Sequence, residues 1–265
     1  MVDKQKTIDK SVTVSGTGLH TGQLGQITMH SAPENHGIKF RRVDIESKPI
    51  IDADINLVVS TDRGTTLSKN GYSLYTIEHL LAAFMGLGVD NVMIDVDMEE
   101  IPIKDGSSIH FINAIKEAGI VEQKANRKYI EITEPISYII PDKNIEMLIE
   151  PAEKFSATVT IDFETEILGK QIATLDDINK FESEIAQCRT FVFLHELEFL
   201  LQNNLIKGGD LNNAIVFVNR AVSQEELDNL AELFNKPKVK VKPNGILNNL
   251  DMHFSNEPAR HKLLD

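Results

Sequence analysis

Twice along this chain, short alternating segments give way to a helical period, and few folds accommodate that order. Residues 11 to 59 alternate polar and apolar in runs such as "SVTVSG", "GQITMHSAP" and "GIKFRRV", broken by Gly and Pro, which is the pattern of hairpins and meanders. In "YSLYTIEHLLAAFMGLGVDN" the period changes: Ile77, Leu80, Leu81 and Phe84 recur at helical spacing, and Gly86 or Gly88 supplies a stop. "VDNVMIDVDMEEIPI" returns to strand, with Asp95 and Asp97 on its solvent face, and "SSIHFINAIKEAGI" reads as a second helix ended by glycine. The polar stretch "VEQKANRKYIEI" starts a fresh strand pattern, which places a boundary near Ala125.

Beyond that point the plan repeats. Strand patterns in "YIEITEPISYIIP", "IEMLIEPA" and "SATVTIDFE" precede helical ones in "DINKFESEIAQ" and "HELEFLLQNN". The alternation of "KPKVKVK", residues 236 to 242, reads as a strand with a lysine-studded solvent face. The expectation is an α+β protein of two similar units, an N-terminal one over 1–125 and a C-terminal one over 126–265. A chain of 265 residues is long enough to bury a core in each.

The 27 Lys and Arg against 40 Asp and Glu leave a net charge of -13, which repels nucleic-acid phosphates. The start of the chain lacks the apolar core of a signal peptide, and the roughly eighteen consecutive apolar residues that span a membrane occur nowhere. With Cys188 the only cysteine, an internal disulfide and a thiolate zinc cage are both ruled out, which fits a reducing cytoplasm. Cys188 itself reads as a buried small hydrophobe.

Two short segments carry metal-site chemistry. In "EPARHKLLD", His261 and Asp265 stand four apart, on one face of a helix whose first turn suits Pro258. That spacing serves a metal ligand pair, though it more often marks a solvated helix pair. In "TIEHLLAAF", the apolar face takes Ile77, Leu80, Leu81 and Phe84 and leaves Glu78 and His79 together at one side, either a polar edge or a ligand beside a carboxylate base.

Taken in order, "GTGLHTG" (16–22), "TIEHLLAAFMGLGVDN" (76–91), "IPIKDGSS" (101–108), "CRTFVF" (188–193), "KGGDLNNAIV" (207–216) and "RHKLLD" (260–265) resemble the successive motifs of the zinc-dependent UDP-3-O-acyl-N-acetylglucosamine deacetylases of lipid A biosynthesis. The resemblance implies a zinc-dependent amidohydrolase that removes acetate from a UDP-3-O-(3-hydroxyacyl)-N-acetylglucosamine. It implies a fold in which helices pack between two outer sheets, with the metal in the interdomain cleft.

Carried onto this chain, it assigns Zn2+ to His79, His261 and Asp265, the general base to Glu78 and the oxyanion donor to Thr190, with Phe191 beside it. Lys262 corresponds to a lysine near the diphosphate, and Asp162 and Phe163 to a uracil-contacting pair; His20 reads as a residue lining the cleft, as the resemblance implies, or as a turn histidine. Asp105 in "KDGSS" reads as a cleft residue or a turn former. Members of the family continue past the ligand aspartate to a histidine resembling a general acid. The chain therefore reads as a fragment with an incomplete second unit, and the resemblance allows a fused downstream hydroxyacyl-acyl-carrier-protein dehydratase. The competing expectation is a catalytically silent fragment that binds a nucleotide sugar or acyl group.

Overall fold

The computed structural model describes residues 3–197, 207–234 and 237–265. Its centre is a five-stranded mixed sheet of β2 (Val12–Thr17), β3 (Leu24–Ser31), β9 (Val92–Val96), β4 (Ile38–Arg42) and β5 (Ile50–Asp52), in that spatial order. Only β4 and β9 run parallel; the other neighbours are antiparallel. Period-two patterning explains the sheet's two faces: Val92, Ile94 and Val96 of β9 are buried, while Met93 and Asp95 face outward. On that outer face Asp95 takes two hydrogen bonds from Arg41. A three-stranded antiparallel sheet, β6 (Val58–Ser60), β7 (Thr66–Lys69) and β8 (Tyr72–Leu74), leads directly into the first helix.

Helices α1 (Glu78–Leu87) and α2 (Ile109–Ala118) cover the inner side of this half and touch each other. Phe84, Phe111, Phe40 and Ile94 are wholly buried in the shared core. Burying a side chain of this size contributes about 1.5–3 kcal/mol. At the edge, β1 (Lys4–Ile8) pairs with β10 (Ile120–Asn126), so the segment read as a fresh strand pattern pairs back onto the start of the chain.

Helix α1 ends at Gly88, whose left-handed φ of 66° no other residue adopts as cheaply. Gly86, the other candidate stop, lies inside the helix and does something else. A methyl group there would stand 2.2 Å from Cδ1 of Phe181, so the missing side chain lets residues of the second half dock. Phe181, Ile185, Ala186 and Leu264 consequently join the core of the first half. Gly86→Ala is expected to destabilise the protein by about 1–3 kcal/mol, against the roughly 0.5–1 kcal/mol that helix propensity would favour. A urea midpoint that rises in the variant would show the contact to be looser than this.

Among the described residues the second half contains three two-stranded ladders: β11 (Ile136–Ile140) with β12 (Ile145–Ile149), β13 (Ala157–Asp162) with β14 (Lys170–Leu175), and the parallel pair β15 (Phe191–Phe193) and β16 (Ile215–Phe217). Strand β14 had no counterpart in the sequence reading. The helix expected over "DINKFESEIAQ" is a 3-10 turn at Ile178–Lys180 and one turn of α-helix, α3 (Phe181–Glu184).

Residues 194–197 are helical, and the rest of the helix expected in "HELEFLLQNN" lies outside the described residues. No strand forms in the described part of "KPKVKVK"; Val241 makes a single bridge to Leu247 instead. Helix α4 (Gln224–Leu233) opens with a reciprocal capping box between Ser223 and Glu226. The last helix, α5 (Glu257–Leu264), has Pro258 in its first turn as its sequence suggests, and packs on β13 and β14. Among the described residues no helix is long and apolar enough to cross a membrane.

Candidate metal centre and cleft

Helix α1 delivers Glu78 and His79 from its first turn, and α5 delivers His261 from its last turn and Asp265 from the position that caps it. The two helices touch, and their donor atoms converge. His79, His261 and Asp265 each offer one ligand atom, and the three lie within 4.8 Å of one another. Oδ1 of Asp265 is 3.4 Å from Nε2 of His261 and 3.8 Å from Nε2 of His79, and the two imidazoles meet edge to face at 5.0 Å between centroids.

The chemistry of this set fits a metal ion. His261 is 1% exposed and its Nδ1 bonds the Cys188 carbonyl at 2.9 Å, yet its Nε2 has no hydrogen-bond partner. A carbonyl only accepts, so Nδ1 carries the proton and Nε2 presents a lone pair to the other donors. Burial pushes the His79 imidazolium below its ordinary pKa, and the neighbouring His261 adds to this. His79 is thus held neutral, as ligation requires. Burial opposes the charge on Asp265, but the facing His261, Lys262 and His79 outweigh it and keep the carboxyl below its usual range.

These groups line a cavity of about 420 Å³, within the range of small-molecule sites. His20, Glu78, Thr190, Phe191 and Lys262 line it too. Glu78 is held in place by the backbone N–H of Thr65, which donates to its Oε2 at 3.0 Å. Thr190 is fixed from the first half, where the Gly106 carbonyl accepts its N–H at 2.8 Å. Lys262 donates to Asp265 at 2.9 Å. Leu19, Val192, Leu197 and Val216 add apolar side chains to its lining.

Two of the expected site residues stand apart from this cavity. Asp162 ends β13 and accepts the N–H of Glu164, and Phe163 is 41% exposed and meets the cleft residue Phe191 edge to face at 5.5 Å. Cys188 is fully buried and its thiol is pushed up to about 12, chiefly by that burial, which suits the packing role expected of it.

The family described as "LpxC: UDP-3-O-acyl N-acetylglycosamine deacetylase" is matched over residues 5–265. The chain belongs to this family. Among LpxC-family relatives, the "Bifunctional enzyme LpxC/FabZ" of Porphyromonas gingivalis is 43% identical over 264 residues, which cover 100% of this chain and 57% of that protein. The "UDP-3-O-acyl-N-acetylglucosamine deacetylase" of Saccharophagus degradans is 41% identical over 239 residues, 89% of this chain and 78% of the relative. A deacetylase of the same name from Neisseria gonorrhoeae is 34% identical over 267 residues, 98% of this chain and 78% of the relative. The chain thus spans a little over half the length of the bifunctional LpxC relatives, 57% in each of three.

Some residues in and behind the cleft carry no sequence motif. Thr61, Arg63, Gly64 and Thr65 form one wall from a loop that carries no chemical motif. Glu100 is wholly buried and accepts the N–H groups of His20 and Thr21 and the hydroxyls of Thr21 and Thr76. It ties the "GTGLHTG" loop to the residues that start α1. Asp105, left open as cleft residue or turn former, bonds Ser107 and faces His110 at 3.3 Å. Burial opposes its charge, yet His110 and Ser107 hold the carboxyl down at about 2.

Proposed function

We propose that this cleft is the active site of a zinc-dependent amidohydrolase that releases acetate from a UDP-3-O-(3-hydroxyacyl)-N-acetylglucosamine in lipid A biosynthesis. The observation that carries the reading is the convergence of three metal-type donors beside the carboxylate of Glu78, in a chain of the LpxC family. Two imidazoles and one carboxylate are a ligand set typical of catalytic zinc, which keeps a further position for water or substrate.

His79, His261 and Asp265 would hold a zinc ion, which would supply Lewis-acid polarisation of the acetamide carbonyl and activation of water. Glu78, one residue before a ligand and anchored by Thr65, takes the proton from the attacking water. Thr190 donates its hydroxyl to the oxyanion as charge develops there. Lys262 binds the diphosphate, and Phe191 and His20 border the sugar. The apolar side chains of Leu19, Val192 and Val216 accept the acyl chain, and Asp162 with Phe163 meets the uracil outside the cavity. The names of the bifunctional relatives support a fused partner domain in the protein that carries this chain.

The same reading treats 1–125 and 126–265 as two α+β units with helices between outer sheets and the substrate between the units. It is supported by the pairing of β1 with β10 and by the contact of α1 with α5.

The test is acetate release by the zinc-loaded protein that carries this chain, followed with the UDP-linked substrate and with UDP alone as a binding control. Turnover that vanishes with a chelator and returns with zinc is the expected result. Binding of UDP with no acetate released would make the cleft a silent nucleotide-sugar site instead.

A further inference from the structure

Glu257 has no part in the site as described above, yet it is wholly buried in the first turn of the helix that ends in the two ligands. Its carboxylate accepts the backbone N–H of Arg189 at 3.0 Å, the Arg189 guanidinium at 2.9 and 3.2 Å, and the N–H of His253 at 2.6 Å. The Arg189 N–H and the Cys188 carbonyl belong to one peptide unit. The carbonyl of that unit accepts Nδ1–H of His261 at 2.9 Å.

Glu257 and His261 stand four apart, so one face of α5 presents a carboxylate and an imidazole one turn from each other. A trans peptide points its N–H and its C=O in opposite directions, and the 188–189 unit fits between them.

We infer that Glu257 is a positioning residue for the metal centre, acting on His261 through the 188–189 peptide. This rests on the reading of His261 as a ligand. A charge-assisted bond to the N–H polarises the amide and makes its carbonyl a better acceptor. The carbonyl in turn fixes the Nδ1–H tautomer, aims Nε2 at Asp265 and raises the donor strength of that nitrogen. Metal-bound histidines commonly bond a carboxylate or a carbonyl directly. Here the carboxylate works one peptide further out. Arg189 neutralises the buried charge of Glu257 and also donates to the Asp251 carbonyl, which holds the carboxylate in the orientation the peptide needs.

Two measurements test this. In the native protein, 15N-histidine NMR without metal is expected to show His261 as the Nδ1–H tautomer; an Nε2–H tautomer overturns the inference whatever any variant does. In a chelator competition, Glu257→Gln keeps an acceptor for the Arg189 N–H but loses the charge. It is expected to weaken zinc binding about tenfold to a hundredfold and to shift the visible absorption of the cobalt(II) form. Unchanged zinc affinity and an unchanged cobalt spectrum in a folded Glu257→Gln protein would mean the ion pair serves folding alone. Native protein that takes up no zinc in the same titration counts against the metal reading itself, and the tautomer measurement still decides the role of the peptide.

Discussion

Replacing Glu78 with alanine is expected to leave about one zinc per chain bound and to slow acetate release by roughly a hundredfold to ten-thousandfold, the range that a positioned general base contributes. Glu78 is not one of the three converging donors, so its removal leaves the metal-type set intact. Its position at the first turn of α1, with Oε2 held by Thr65, gives the carboxylate one orientation beside His79. The loss should fall on kcat, since the residue acts on a proton that moves only in the transition state. Glu78→Gln, which keeps an acceptor for Thr65 but is a far weaker base, should be nearly as slow. Turnover within a factor of about two of the native rate would remove Glu78 from the role of base.

Replacing His79 with alanine is expected to abolish zinc retention in protein purified without added metal. Elemental mass spectrometry should read about one zinc per chain in the native protein and near none in the variant. His79 is the single contribution of the first half to the donor set; without it two donors remain, both on α5. Because a ligand that binds only the folded state stabilises it by mass action, about 2.7 kcal/mol at a hundred times the dissociation constant, added zinc should raise the melting temperature of the native protein and not of the variant. Zinc kept at full stoichiometry by His79→Ala would take this histidine out of the site.

Which of these residues share a turn or a helix face was legible because those relations are written locally. The four-residue spacing of His261 and Asp265 places them on one face of any helix they form, and α5 forms with Pro258 in its first turn, where a missing N–H costs nothing. Adjacent positions put Glu78 and His79 at one helix start, and Gly88 and Gly119 stop α1 and α2 where the glycines stand. Strand β14 and the ladders of the second half were less legible. In β11 and β12, residues such as Ile139 and Leu148 are more than half exposed, so alternation there does not report a buried face.

Sequence by itself determined which residues share a turn, a strand face or a helix end, because those relations depend on backbone periods of two and 3.6 and on the steric freedom of glycine. Tertiary structure alone decided which distant groups meet. His79 meets Asp265 where the two helices touch, and Gly86 leaves the room that Phe181 fills. The charges of Glu100 and Glu257 lie buried only because donors arrive from loops far away in the chain. An exposed glutamate and a buried one are the same letter. Desolvation and the partners that offset it are properties of the folded surroundings, and no local pattern carries them.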